Sequence, residues 1–592
     1  MCGIFGYVGE RNDAAQLIVR GLKLLEYRGY DSWGVAVGAG MRIAVERHVG
    51  RIGTADTSLP DSQIGLGHTR WATQGGITTE NAHPQLDCGA QLALVHNGIV
   101  ANEDELRVAL ARAGHCIRSQ TDTELIAHLI EDLLEQTPEG PERLLRATIA
   151  AFGKLRGLNA IVVLDLRSGE LAAAKNGSPL VLGFDATGHF IASDPAALIE
   201  HTRQVAFVND GEALLLHRGA ARLFDMASGE ELQLESTTLE WQPEPDTRGD
   251  HPDFMSKETS EQPELLRTLA ERTRGGVLEL AGRIEQADEV FMIGCGSALH
   301  AAIAAQHLFA KVARRRVTAA SASEFQCLLP FVGKRSLVVA LSQSGETMDV
   351  LDAVKKARAQ GAQIAAVTNV RGSTLWRHAD LRIGLGAGPE RCVLATKSLT
   401  AKLALVVLAA YAAKGELETA EALLQRAAAD VADMLQGERR GHIHAIAREL
   451  AAKEHLYVLG RGPSYALALE TALKIKEVSY LHAEGFASGD LKHGVIALIE
   501  PGTPCIALVS EDDTKEDVLA GALQVKARGA TVIGIAPKAH PAFDYHIPVA
   551  DLDLATLVVS AVPAQLLGYD LACLRGHDPD MPRNLAKSVT VK

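Results

Sequence analysis

A chain of 592 residues with 73 acidic and 59 basic side chains, net charge −14, is too long for one hydrophobic core and lacks the basic excess that general nucleic-acid binding requires. Apolar residues make up 47% and charged residues 22%, an ordinary composition for several packed domains. Eight cysteines without a CxxC pair point to the reducing cytoplasm and to no structural zinc; the first residues lack the pattern of a signal peptide, and no uninterrupted apolar run of about 18 residues predicts a membrane span.

In chain order, residues 2–238 read as short strands divided by Gly-rich turns, with two helices. Leu17, Ile18, Gly21, Leu22 and Leu25 predict a helix over 14–26, and Leu125, Leu129, Ile130 and Leu133 predict one over 123–134. Strands are predicted over 91–95, 159–164 and 213–217, which together suggests a layered α+β domain. Residues 239–256, with three prolines among polar neighbours, read as a linker.

From residue 257 onward, near-continuous apolar strands alternate with Ala/Leu-rich helices, the pattern of parallel βαβ units. The pattern repeats. EVFMIGCGSALHA at 289–301 matches HLYVLGRGPSYAL at 455–467, and LVVALSQSGETMDV at 337–350 matches IALVSEDDTKEDV at 506–518. ARAQGAQIAAVT, ending at Thr368, matches VKARGATVIGIA, ending at Ala536. Three pairs in the same order predict a duplicated, doubly wound α/β domain over 257–430 and 431–583, followed by a tail at 584–592.

Removal of Met1 would leave Cys2 with a free α-amine, which titrates near ~8 and can act as base for the thiol of the same residue. Taken alone, a cysteine at position 2 reads more readily as an unremarkable thiol at a frayed terminus. It is followed, however, by EYRGYDSWG at 26–34, GHTRWATQG at 67–75, NAHP at 81–84, HNGIVAN at 96–102 and SQTDTE at 119–124. In this order the segments resemble the N-terminal-nucleophile glutamine amidotransferases, over residues 2 to about 230. The resemblance implies an αββα sandwich in which Cys2 attacks the amide of L-glutamine, while the Asn97 side chain and the Gly98 N–H form the oxyanion hole. It also implies that Arg70 holds the α-carboxylate and Asp122 the α-ammonium, with Trp71 and Thr73 lining the pocket. Without the resemblance, Arg70 reads as a surface ion-pair partner and Asp122 as a helix cap. Gln74 stands where relatives more often carry histidine.

In the second half, Ser342-Gln343-Ser344-Gly345-Glu346-Thr347 follows an apolar run and precedes a helical stretch. A strand, a hydroxyl-rich turn and a helix N-terminus make an anion site, or equally a capping turn with no ligand. The second copy carries Ser510-Glu511-Asp512-Asp513-Thr514 there, which predicts one phosphate site per chain. Glu470, Lys474 and Glu477 share one helix face, a pattern that by itself describes a solvated stripe.

These features resemble the sugar isomerase domain family, and the whole arrangement, with the ending LAKSVTV, resembles the glutamine–fructose-6-phosphate aminotransferase (isomerising) family. That resemblance implies that Ser342, Gln343, Ser344 and Thr347 grip the phosphate, with Ser297, Glu470, Lys474 and Ala586 around the sugar. Glu477 would move a proton between C1 and C2, His493 would assist ring opening, and Lys587 would form a Schiff base. The implied substrates are L-glutamine and a ketose phosphate, fructose 6-phosphate; the implied products are glutamate and glucosamine 6-phosphate, with no cofactor or metal. Ammonia would cross between the two sites in an enclosed channel gated by Trp71, in a homodimer where His493 serves the neighbouring subunit. Ala298 and Ala395 stand where the family usually has hydroxyls near the sugar, so another ketose or aldose phosphate remains open. A rival reading is a sugar-phosphate-binding regulator with a degenerate catalytic centre.

Overall fold

The computed structural model describes residues 2–239 and 247–590; Met1 and residues 240–246, part of the expected linker, lie outside the described residues. The chain forms two compact units, Met1–Pro245 with Ser588–Lys592, and Asp246–Lys587. The helix Phe254–Ser260 begins inside the stretch read as linker, capped by the Asp253 carboxylate, which accepts from the Ser256 N–H.

The first unit is built on two antiparallel sheets, one of eight strands and one of seven. Strand Gly3–Gly9 lies at the centre of the larger sheet, between Gly188–Ala192 and Ile64–Arg70. Its side chains alternate as a buried strand must. Ile4 and Val8 meet Leu66, Val95, Val162 and Leu214 in the core that holds residues of both sheets, whereas Phe5 and Tyr7 point the other way. There Leu17, Ile18 and Leu22 of helix Ala14–Leu25 cover the sheet. On the smaller sheet, Leu94, Ile161 and Val163 are covered by Ile126 and Ile130 of helix Asp122–Gln136 and by Leu144 of helix Arg143–Phe152. The result is helix, sheet, sheet, helix.

Two helices were absent from the sequence reading. Glu103–Ala113 buries only Leu110, so it has hardly any apolar stripe to read. Arg143–Phe152 does carry one, with Leu144, Leu145, Thr148, Ala151 and Phe152 buried.

The second unit contains two five-stranded parallel sheets. In the first, Glu289–Gly294 is flanked by Thr318–Ser321 and Ser336–Ser342, after which come Gln363–Thr368 and Leu381–Gly384. In the second, His455–Gly460 is flanked by His482–Ala487 and Pro504–Leu508, followed by Thr531–Ala536 and Tyr545–Pro548. Both have the strand order 2-1-3-4-5, the topological form of the internal repeat.

Long helices fill the core of this unit: Gln262–Gln286, Lys397–Lys414, Pro463–Ser479 and Thr556–Leu574. The stretch Asp553–Leu574 has the length and mean hydropathy, 1.6, of a membrane span, but 83% of its apolar window is buried inside the protein. Two of its polar residues are paired inside, Gln565 with Gln262 at 2.6 Å and Asp570 with the Arg440 guanidinium at 2.6 Å through both oxygens. It is a core helix.

Candidate functional sites

In the first unit, the register that sets Gly3 opposite Thr69 places Cys2 beside the end of strand Ile64–Arg70. Leu92–Gly98 and the start of helix Asp122–Gln136 reach the same place. Cys2, Arg70, Trp71, Thr73, Asn97, Gly98 and Asp122 all line one small pocket, together with His83, His96, Thr121 and Thr123. The Trp71 N–H donates to the Cys2 sulfur at 3.3 Å, and Asn97 Nδ2 donates to the Cys2 carbonyl at 3.1 Å. Gly98 has φ +153°, and a Cβ there would lie 2.6 Å from the Leu158 carbonyl oxygen, so only glycine fits.

Arg70 is largely buried, and burial lowers its pKa from the ordinary value. Its guanidinium holds the turn after the strand, donating to the carbonyls of Gly76 at 3.2 Å and Gly75 at 3.4 Å, and to that of Gln74. The surface ion-pair alternative for Arg70 therefore fails. So does the capping alternative for Asp122. Thr121 is the N-cap position and Asp122 the first helical residue; its Oδ2 accepts from the Val100 N–H at 2.9 Å, and its Oδ1 lies 3.8 Å from His96 Nδ1.

His68, which the sequence reading did not single out, orients Asn97. Its Nε2 lies 3.1 Å from both Asn97 Oδ1 and the His96 carbonyl oxygen; two acceptors require Nε2 to carry the proton. That leaves the Asn97 amide NH2 turned toward Cys2. Burial pushes His68 down to about 3, and the neighbouring His83, 4.4 Å away ring to ring, is lowered well below the ordinary value, again chiefly by burial.

Both imidazoles are neutral in the fold and protonate near 6.5 once unfolded. Their contribution to stability is thus complete above pH 6.5 and lost as pH falls toward about 3. His189 and His201, also lowered by burial, act in the same direction, whereas His128 is raised and acts above pH 6.5. For His68 alone the loss between pH 6.5 and pH 5 is about 2 kcal/mol. Urea unfolding of the full chain, followed by probes in the first unit, is expected to show that loss; a flat response over this range would contradict it.

In the second unit, strands Glu289–Gly294 and Ser336–Ser342 are neighbours, and the order 2-1-3 makes the gap above their C-terminal ends a topological switch point, the usual place for a ligand. The loop Ser342–Thr347 emerges there and runs into helix Met348–Ala359. Ser342 Oγ accepts from the Gly345 N–H at 3.0 Å and lies 3.4 Å from Thr347 Oγ1; Ser344 Oγ accepts from the Glu346 N–H at 3.1 Å. The Gln343 carbonyl accepts from the Asn369 N–H at 3.0 Å. Strand, hydroxyl-rich turn and helix N-terminus are all present, as an anion requires. In the second copy, Asp512 pairs with Lys311 at 2.9 Å, and Glu511 with Lys515 at 2.9 Å and Lys538 at 3.2 Å. That loop is closed by ion pairs, one of them to Lys311 of the first copy.

The Glu470–Lys474–Glu477 face is not a solvated stripe. Glu470 and Lys474 are fully buried. Glu470 receives Ser297 Oγ at 2.9 Å and faces His300 Nδ1 at 2.7 Å, while Lys474 Nζ donates to Glu477 at 2.6 Å and approaches Glu470 at 3.5 Å. Burial opposes ionisation of Glu470, but Lys474 and His300 outweigh it and hold the carboxyl at about 2. His300 was another residue missed, although it lies one turn from Ser297 and could have been found by that spacing.

Lys587 is buried rather than loose in a flexible tail. Its Nζ donates to Glu390 Oε2 at 2.6 Å and to the carbonyls of Cys392 at 2.8 Å and Leu394 at 2.9 Å. Glu258 adjoins this pair, accepting from the Cys392 N–H at 3.1 Å. Burial first, then the Glu390 carboxylate, push Glu258 up to about 8, whereas Lys587 outweighs burial at Glu390 and keeps it at about 2. Glu258 is thus biased toward its neutral form beside a Glu390 held ionised by the Lys587 ammonium. Neither Glu258 nor Glu390 carried any motif to mark it. Ala586 is half-buried next to Lys587, Ala395 lies in the loop whose carbonyls hold the ammonium, and Ala298 packs in the apolar core under Gly294. His493, on the short turn Asp490–His493, is exposed, and among the described residues its ring makes no hydrogen bond to this cluster.

Fold and sites define a glutamine amidotransferase joined to a pair of sugar isomerase domains. Accordingly, residues 68–200 match the glutamine amidotransferase domain family, and residues 283–412 and 449–573 each match the SIS domain family. Along its full length the chain is 39% identical to the glutamine–fructose-6-phosphate aminotransferase (isomerising) of Thermococcus kodakarensis and 40% identical to that of Symbiobacterium thermophilum, each also covered completely. The C-terminal domain of the Francisella tularensis glucosamine-fructose-6-phosphate aminotransferase covers 57% of this chain at 29% identity, with a TM-score of 0.52 and all of that structure aligned. The tagatose-6-phosphate ketose/aldose isomerase of Escherichia coli, at 18% identity and a TM-score of 0.50 over 59% of this chain and 98% of its own, shares the fold. The chain belongs to the glutamine–fructose-6-phosphate aminotransferase (isomerising) family.

Proposed function

We propose that this chain hydrolyses L-glutamine at Cys2 and uses the ammonia to convert fructose 6-phosphate into glucosamine 6-phosphate, leaving glutamate. The observation that carries the reading is Lys587, an amine buried against Glu390 in the sugar isomerase unit, where imine chemistry needs one.

At the first site, the Cys2 thiol, deprotonated by its own α-amine, attacks the amide carbon, and the oxyanion is received by Asn97 Nδ2 and the Gly98 N–H. Each donor lowers the barrier by about 3–4 kcal/mol. Arg70 and Asp122 hold the two ends of the amino acid, ammonia departs, and water releases glutamate from the thioester. At the second site, the 342–347 loop holds the phosphate and Lys587 condenses with the C2 carbonyl of the opened ketose, expelling water. Ammonia displaces the lysine, Glu477 takes a proton from C1, and the proton returns at C2 to give the amino aldose. Ammonia protonated by bulk water is no nucleophile, so the reading includes an enclosed route gated by Trp71. It also includes a homodimer in the cytoplasm, in which the exposed His493 serves the neighbouring subunit's site.

A second reading keeps the amidotransferase and changes the acceptor to another ketose or aldose phosphate; Ala395, which puts no hydroxyl in the loop that holds the Lys587 ammonium, is what favours it, whereas Ala298 is packed in the core. The test is to incubate the protein with glutamine and a panel of phosphosugars, measuring glutamate and amino-sugar phosphate. Fructose 6-phosphate is expected to give equal amounts of both. Glutamate with no amino sugar from any acceptor would overturn the synthase reading, and preference for another sugar would select the second.

A further inference from the structure

Away from the glutamine pocket, the first unit gathers one sulfur, two imidazole nitrogens and a carboxylate oxygen. The ligand atoms of Cys88, His115, His128 and Glu131 all lie within 4.8 Å of one another. They come from three separate stretches. Cys88 follows strand Gln85–Leu86, His115 follows the Gly114 cap of helix Glu103–Ala113, and His128 and Glu131 sit one turn apart on helix Asp122–Gln136. The absence of a CxxC pair says nothing of such a set, because its other members lie 27, 40 and 43 positions from Cys88.

Cys88 Sγ lies 3.4 Å from His115 Nδ1 and 3.6 Å from His128 Nδ1. Glu131 Oε2 lies 3.1 Å from His128 Nδ1 and 3.2 Å from His115 Nδ1. With bonds of about 2.0–2.3 Å, the edges of a tetrahedral zinc site measure roughly 3.3–3.6 Å, and these four contacts fall close to that range. The rings are also oriented for the task. Both present Nδ1 to the cluster and turn Nε2 toward a carboxylate: His115 to Asp132 Oδ1 at 2.8 Å, His128 to Glu124 Oε1 at 3.7 Å, an ion-pair approach longer than a hydrogen bond. An outer carboxylate of this kind fixes the proton on the far nitrogen and leaves the near one free to ligate.

We propose that Cys88, His115, His128 and Glu131 form a binding site for one zinc ion that clamps the segment leading into the glutamine pocket. One thiolate, two imidazoles and one carboxylate suit zinc and exclude the all-oxygen preferences of calcium and magnesium. The clamp works through Glu124, which faces His128 on one side and on the other accepts from the Arg118 N–H at 2.8 Å and the Ser119 N–H at 2.5 Å. That turn delivers Thr121 and Asp122 to the pocket. The ion is structural, and no reacting atom touches it.

The test uses the full chain, equilibrated with zinc alone, dialysed into zinc-free buffer and assayed for metal content. Wild type, Cys2→Ala and Cys327→Ser are each expected to retain about one zinc per chain, and Cys88→Ser and His115→Ala less than about a tenth of that. Cobalt alone is expected to give the visible bands of a tetrahedral site and a thiolate charge-transfer band that survive Cys2→Ala and vanish in Cys88→Ser. A chelator should lower the unfolding temperature of the wild-type first unit and leave that of His115→Ala unchanged. Zinc retained equally by wild type and both ligand variants, or by none of them, would overturn the site. A wild type whose unfolding ignores the chelator would overturn the clamp.

Discussion

Cys2→Ala is expected to lower glutamine-dependent glutamate release by at least about 10⁴-fold, because loss of a catalytic nucleophile removes the covalent pathway and leaves only binding and the oxyanion donors. No other side chain in the pocket can substitute. Thr73, Thr121 and Thr123 line it, but none has an α-amine to act as its base. The fold should tolerate the change, since among the described residues the thiol hydrogen-bonds only to the Trp71 backbone, from N–H at 3.3 Å and to carbonyl at 3.6 Å. Isomerisation of the phosphosugar, and its amination by added ammonium salts, should persist in this variant. Glutamate release and sugar isomerisation measured on the same preparation decide the matter, and loss of both would contradict two independent sites.

Replacing Lys587 tests the other end of the chain, and two effects must be kept apart. Lys587→Met is expected to abolish amino-sugar formation, by at least about 10³-fold, because no imine can form. It should also destabilise the second unit by about 3–5 kcal/mol, because Glu390, fully buried, is left as an uncompensated charge. Adding Glu390→Gln removes that charge and should restore most of the stability while restoring none of the activity. Urea midpoints and turnover on the single and double variants give the answer. Activity recovered in the double variant would mean that Lys587 serves the fold alone, and an unshifted midpoint in the single variant would mean that the buried pair contributes little. In both variants glutaminase activity at Cys2 should remain, provided the first unit stays folded.

The elements that sequence made legible are those whose pattern is local. The apolar stripe over 14–26 became helix Ala14–Leu25, and the run at 159–164 became strand Asn159–Asp165, each to within a residue. The internal repeat was equally visible, because both copies use the same order of strand, loop and helix. Helix Glu103–Ala113 was not, since a helix lying on the surface with one buried leucine has no periodic signal to detect. At the sites, motif spacing found the residues that meet at Cys2. It could not find His68, whose role comes from the approach of strand Ile64–Arg70 to strand Leu92–Gly98, nor Glu258 and Glu390, ordinary glutamates until the fold joins them at Thr396 and seats Lys587 against Glu390. The zinc cluster was hidden for the same reason. Its donors are common residues, far apart in the chain, and only tertiary contact makes them a set.

Helix Thr556–Leu574 has a consequence for how the protein is made. It packs on Pro463–Ser479, the helix that carries Glu470, Lys474 and Glu477, yet a ribosome adds it after every strand of both parallel sheets. Until it emerges, Ile475 and Val478 lack their apolar partners, and the nascent second unit presents a sticky groove to its surroundings. Translation that stalls before residue 556 should therefore leave aggregation-prone fragments in which the first unit is already folded and the second is not. Once complete, the chain closes the groove with its own late-arriving helix.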